Sequence, residues 1–289
     1  MSFLQKIIST IKNLHLSFND LNSTKILVLI IILTSSLAVN AQNQRIVSLA
    51  PSLTKSIYYM GAADQIVGCT SFCNIAKNDK KEIVGSAVTI NIEKVITLKP
   101  DLVVASAITN PETLDLIRRA GIETKVFITP ANFEILCAQF QELGNLIGRS
   151  QKAASIINRT KIEVEKIKKS YKNKISQQIF FQLGARPIFT VLDNTFMSDY
   201  ITFSGGENIS SGLSKGTINR EFVLMKNPDV IIIVNMGIVA EEEKKIWESY
   251  PHLNAVKNNK VFIIESDMAS TPNPPDFLDT MKAIQKELQ

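Results

Sequence analysis

The sequence predicts an α/β protein of two Rossmann-like lobes with parallel sheets, joined by a single long backbone helix. Three observations carry this. From residue 45 onward, short apolar runs alternate with helical stretches, the order that builds parallel sheets. Residues 150–171 form one long amphipathic stretch with no Gly or Pro, so they read as a rigid rod. Finally, NIEKVITLKPDLVV (residues 91–104) returns as NREFVLMKNPDVII (residues 219–232), one copy on each side of the rod.

The elements follow in order. IVSL (46–49) reads as a strand, and 52–60 as a helix stopped by Gly61. Residues 66–68 and 102–105 are short apolar strands. Asn110-Pro111 opens a helix with a capping side chain and a proline at its first position, and Gly121 closes it. Residues 125–128 form the next strand. Two helices follow, 133–147 and 150–171, broken at Gly148, with Ser150 as the expected cap. Strand and helix signals then resume at 178–183, 189–192, 196–204, 230–234, 244–250 and 261–264, and a last helix starts near Pro275. The resulting division is a leader at 1–41, a first lobe at 42–148, the linking helix at 149–172 and a second lobe at 173–289.

The leader rests on ILVLIIILTSSLAV (26–39), which follows Lys25 and ends in small residues at Val39-Asn40-Ala41. A positive flank, a short apolar run and a small-residue break describe a secretory signal cleaved near Ala41, with an uncleaved anchor as the alternative. The run is short of the roughly 20 apolar residues that span a bilayer. Residues 1–24 make a long extension ahead of it, which suggests a start codon further in.

The chain has 289 residues, 45% hydrophobic and 20% charged, with a net charge of +5. Its Lys and Arg are scattered and not interleaved with aromatics, so nucleic acid is not an expected partner. The Lys-rich run 161–174 reads as a solvated helix face. Cys69, Cys73 and Cys137 are an odd number, so at least one thiol is free. Cys69 and Cys73 can pair only within a tight loop. Buried, idle thiols are the plainer reading, and no metal site is expected.

In the repeat, Asn91/Asn219, Glu93/Glu221, Val95/Val223, Pro100/Pro228 and Asp101/Asp229 pair up, each 128 positions apart, as 91 is from 219. That period is too long for a solenoid and implies two similar lobes. Each Asn caps a short helix, each Glu sits in its first turn, and Pro-Asp starts the next strand. An acid there stabilises a helix dipole by about 0.3–1 kcal/mol. Two carboxylates at matching points on two lobes also suit paired basic pockets of a two-fold symmetric partner.

At this point the chain resembles a family. RIVSLAPSLTKSIYYMGAADQIVG (45–68), NIEKVITLKPDLVVAS (91–106), FQLGARPIFT (181–190), SGGENI (204–209) and NREFVLMKNPDVIII (219–233) are similar, in order and spacing, to the helical-backbone receptors for siderophores, haem and corrinoids. The resemblance spans about residues 43–285. It implies ligand held in a cleft between lobes, little lobe closure, and Glu93 and Glu221 docking on arginines of a membrane permease. It also implies an exported, periplasmic monomer whose partners are the permease and ATPase subunits of an ABC importer.

Ligands of open α/β sheets sit beyond the carboxyl ends of the strands. The candidate ligand-binding residues are therefore Pro51, Ser52, Phe72, Ala87, Ser106, Arg186, Phe189, Phe196 and Asp267. Phe72, Phe189 and Phe196 would supply flat apolar walls, and Arg186 a contact for a polar or anionic group. Corrinoid receptors of this family carry tryptophans where this chain has Ala87 and Ser106–Ile108. The only tryptophan, Trp247, lies in a helix that reads as surface. Many siderophore receptors have an arginine in the last cleft loop, and ASTPNPP (269–275) has none. The expected ligand is a corrinoid, with haem or a ferric siderophore as the alternative. No resident cofactor is expected, and axial haem ligation by His finds only His252 after the leader. The sequence lacks a Gly-rich phosphate loop, a nucleophile elbow and a His–acid cluster, so no enzyme is expected. Gly205–Asn208 reads as a helix stop.

Overall fold

A computed structural model describes residues 44–86, 89–235 and 240–288. The expected signal segment and Ala87 lie outside these residues.

The first sheet runs β3-β2-β1-β4-β5, every pairing parallel. Its strands are β1 (Ile46–Ser48), β2 (Ile66–Thr70), β3 (Glu82–Gly85), β4 (Leu102–Ser106) and β5 (Glu123–Phe127). The crossover helices are α1 (Pro51–Tyr59), α2 (Asn74–Asn78), α3 (Ile92–Thr97) and α4 (Pro111–Arg119). Two longer helices follow, α5 (Phe133–Leu146) and α6 (Ser150–Tyr171).

The second sheet is built on β6 (Gln177–Ala185), paired in parallel with β10 (Val230–Asn235), and β10 in turn pairs with β11 (Val261–Glu265). The first half of β6 also pairs in parallel with β8 (Gly206–Asn208). Its far end carries an antiparallel ribbon of β7 (Ile188–Thr190) and β9 (Thr217–Ile218), so this sheet is mixed. The helices are α7 (Ser198–Phe203), α8 (Arg220–Lys226), α9 (Ala240–Glu248), α10 (Asn254–Lys257), α11 (Ser266–Ala269) and α12 (Pro274–Leu288).

Local chemistry sets the boundaries. Asn91, Asn110, Asn132 and Asn219 cap their helices, each side-chain oxygen accepting from a backbone N–H of the first turn. Ser150 does not cap α6. It is the first helical residue, and Gln141 Nε2 donates to its hydroxyl at 3.2 Å. Gly205 ends α7 with a φ of +70°, but the GEN that follows enters the sheet as β8 rather than only stopping a helix.

The repeat is also a structural one. Asp101 Oδ2 accepts from Arg45 N at 2.7 Å, just ahead of β1, and Asp229 Oδ2 accepts from Gln178 N at 2.9 Å in β6. Each aspartate thus ties the start of β4 or β10 to the neighbouring first strand of its sheet. Lys99 and Asn227 both turn the chain with a φ of +46° after their short helices.

Helices α5 and α6 belong to both cores. Phe133, Leu136 and Cys137 of α5, with Val164, Ile167 and Tyr171 of α6, pack in the core of the second sheet. Phe140 and Leu143 of α5, with Ala153 and Ile156 of α6, pack in the core of the first. Ile157 touches both. At Gly144 a Cβ would come within 2.5 Å of the Ala153 Cβ, so only glycine lets the two helices approach this closely.

Candidate functional site

The crevice lies where the carboxyl ends of both sheets meet. Pro51 and Ser52 open α1 directly after β1, Phe72 follows β2, and Ser106 ends β4. From the second lobe come Arg186 and Phe189 in the β6–β7 hairpin, and Asp267 in α11 after β11. Large apolar side chains stand exposed around it: Phe72 at 59%, Phe189 at 44%, Ile108 at 75% and Ile128 at 64%. Burying such side chains under a ligand contributes about 1.5–3 kcal/mol each. Ile128, directly after β5, was not among the residues the sequence suggested. A large apolar residue just past a strand's carboxyl end was the available signal.

Phe196 departs from expectation. It is 3% exposed and packs edge-on to Tyr200, with ring centroids 6.0 Å apart. Its amide donates to Pro130 O at 3.1 Å, so this loop is drawn against the first lobe and the ring points into the core. It is a core residue rather than a wall of the crevice.

The floor is polar and crosses between lobes. Lys55 Nζ lies 3.0 Å from Asp276 Oδ1 and donates to Asp267 O at 2.9 Å. Tyr59 Oη donates to Asp276 Oδ1 at 2.7 Å, and Asn273 Nδ2 to Asp276 Oδ2 at 2.6 Å. The Asp276 side chain is 2% exposed. Burial pushes its carboxyl above the ordinary range, against the hydrogen bonds from Asn273, Tyr59 and Lys55 that lower it. A second bolt is Asp199 Oδ2, which accepts from Phe133 N at 2.6 Å at the start of α5.

Behind Phe72, Cys69 and Cys73 are buried and free, as is Cys137. Cys73 Sγ accepts from Thr54 Oγ1 at 3.1 Å and lies 3.3 Å from Thr70 Oγ1. Hydrogen bonding from Cys69, against the opposing effect of burial and with help from these hydroxyls, draws the Cys73 thiol below the ordinary range, while Cys69 is driven upward by the same pairing and by burial.

Glu93 and Glu221 are both exposed, in the first turns of α3 and α8. Each helix starts at the carboxyl edge of its sheet, so both acids stand on the rim that holds the crevice. Gly85, with a φ of +152°, folds the loop back before α3, where a Cβ would collide with Thr89 O at 2.2 Å. The start of α8 is anchored from inside. Arg220 Nη2 lies 3.0 Å from Glu243 Oε2, and its guanidinium stacks 4.3 Å from the Trp247 ring centroid. Gln182 Nε2 donates to Glu243 Oε2 at 3.0 Å, and Trp247 Nε1 donates to Gln182 Oε1 at 2.7 Å. Trp247 is therefore fully buried, not on a surface face.

Two α/β lobes, one with a parallel and one with a mixed sheet, sharing a helical spine with a rimmed crevice between them, define a two-lobed solute receptor. The chain belongs to the periplasmic binding protein family, whose sequence pattern matches residues 46–268. It is 27% identical over 223 residues to a vitamin B12-binding protein of Yersinia pseudotuberculosis, covering 75% of this chain and 79% of that one. Among solved structures it is similar to the periplasmic vitamin B12 binding protein BtuF of Vibrio cholerae. That match has a TM-score of 0.70 and 27% identity and covers 85% of this chain and 96% of the other. The fold is shared with the periplasmic haem-binding protein HutB of Vibrio cholerae, with a TM-score of 0.76 and 18% identity over 85% and 99% of the two chains.

Proposed function

We propose that this protein is an extracytoplasmic receptor that captures a corrinoid and delivers it to an ABC importer. The observation that carries it is the crevice rim, where exposed Phe72, Ile108, Ile128 and Phe189 offer apolar surface to a broad, flat ligand. The vitamin B12-binding relatives support the same ligand class. His252 lies in the turn between α9 and α10, at the opposite edge of the second sheet from the crevice. Imidazole ligation of a haem iron therefore has no support from this residue. Ser52, Ser106, Arg186 and Asp267 supply the polar contacts, Pro51 adds apolar surface beside them, and Glu93 and Glu221 dock on basic pockets of the permease.

Calorimetry and visible spectra with cyanocobalamin, haemin and ferric siderophores test the ligand. Heat of binding and a spectral shift are expected with cyanocobalamin. Binding of haemin or a siderophore alone overturns the reading in favour of that chelate.

A further inference from the structure

A pit opens in the crevice floor between the ends of β1, β4 and β5 and the side of α5. Ser52, Ser106, Thr129 and Gln139 are among its polar lining residues, and Phe127, Phe140 and Pro272 among its apolar ones. Pro272 comes from the second lobe, so both lobes shape it. Its volume is about 60 Å³. A water needs about 15 Å³ on this measure, so the pit holds roughly four waters, the size of one short side group and not of a ring.

None of the residues lining the pit carries a charge. Lys55, on the same helix as Ser52, is committed to Asp276 and Asp267. Arg186 is an exposed residue of the hairpin in the other lobe. The Ser106 hydroxyl is buried without a hydrogen-bond partner among the described residues. An orphaned hydroxyl in a polar wall calls for a partner from outside the chain. The uncapped start of α1 adds backbone N–H groups near Ser52. Their combined effect is about half an elementary charge, which suits a carbonyl oxygen but does not neutralise a carboxylate.

Resting on the corrinoid reading above, we propose that this pit is a specificity subsite for one neutral amide side group of the ligand. The amide carbonyl accepts from Gln139 Nε2 and the free N–H groups at the start of α1, and its NH2 donates to the orphaned Ser106 hydroxyl. A carboxylate in its place, such as the propionate of a porphyrin, finds no cation there. The subsite thus selects a ligand fringed with primary amides over one fringed with acids.

The test is the affinity of the purified protein for cyanocobalamin and for its separate monocarboxylates, each with one peripheral amide hydrolysed. At pH 7.5 at least one monocarboxylate should bind about tenfold or more weakly than the parent, the lower end of the effect of stranding a charge. Gln139→Glu, nearly isosteric, should weaken cyanocobalamin by a similar factor. Gln139→Lys should narrow or invert the preference against the affected monocarboxylate. If every monocarboxylate binds within twofold of the parent and Gln139→Glu changes nothing, the subsite is refuted while the corrinoid reading stands. If cyanocobalamin itself does not bind, the corrinoid reading fails and takes the subsite with it.

Discussion

Asp276 is where removing one carboxylate should do most damage to the union of the lobes. Asp276→Ala deletes the acceptor for Tyr59 Oη, Asn273 Nδ2 and Lys55 Nζ together. Asn273 is fully buried, so its amide bears the whole desolvation penalty, about 1–3 kcal/mol. Tyr59 and Lys55 are only partly buried and recover some hydration. With the broken ion pair included, the expected loss is about 3–5 kcal/mol. Asp276→Asn keeps the shape and one acceptor, so about 1–2 kcal/mol is expected. Urea unfolding followed by circular dichroism reads both. The pH dependence has a definite sign. Burial raises the folded-state pKa of Asp276, so the folded state holds this proton more tightly than the unfolded chain does. Stability attributable to this group therefore rises as pH falls from the raised folded value toward the ordinary carboxylate value, and is lost as pH rises again through that window. The wild type should accordingly gain on Asp276→Asn upon mild acidification. A loss below 1 kcal/mol for Asp276→Ala, or a pH trend of the opposite sign, refutes the reasoning.

Three further outcomes are expected. The double variant Glu93→Ala/Glu221→Ala should leave ligand affinity within twofold and abolish uptake in a transport assay, and surviving uptake contradicts docking. Thiolate absorbance at 240 nm should titrate below the ordinary thiol range and shift back up in Cys73→Ser, because Cys69 and the Thr54 and Thr70 hydroxyls stabilise that anion. Trp247→Ala should destabilise by about 3–5 kcal/mol, since it opens a cavity and strands Gln182 and Arg220, and a small effect in urea would contradict the burial.

Much of the architecture was legible because the repeat writes the same local chemistry twice. An Asn cap, an acid in the first turn and a Pro-Asp strand start depend on neighbours in sequence, and all recur in space. Trp247 was misread because Lys244, Lys245 and Glu248 surround it. Helical spacing puts Ala240, Glu243 and Trp247 on one inward face, and the partners that hold the indole, Gln182 and Arg220, come from distant strand and helix. Phe196 was misplaced for a related reason. A loop position predicts nearness to the crevice but not ring direction, which Tyr200 and the backbone bond to Pro130 decide. The bond network around Asp276 was illegible, since Lys55, Tyr59 and Asn273 meet only once the two lobes come together.

A wide gape is closed to a molecule whose spine is sewn into both halves. Opening it far would pull Phe133 or Phe140, together with Ile157, out of one core or the other. Each such side chain costs about 1.5–3 kcal/mol to expose. A micromolar ligand supplies only about 8 kcal/mol in all, so a few extractions would consume its whole grip. Cargo therefore enters a mouth already shaped to receive it.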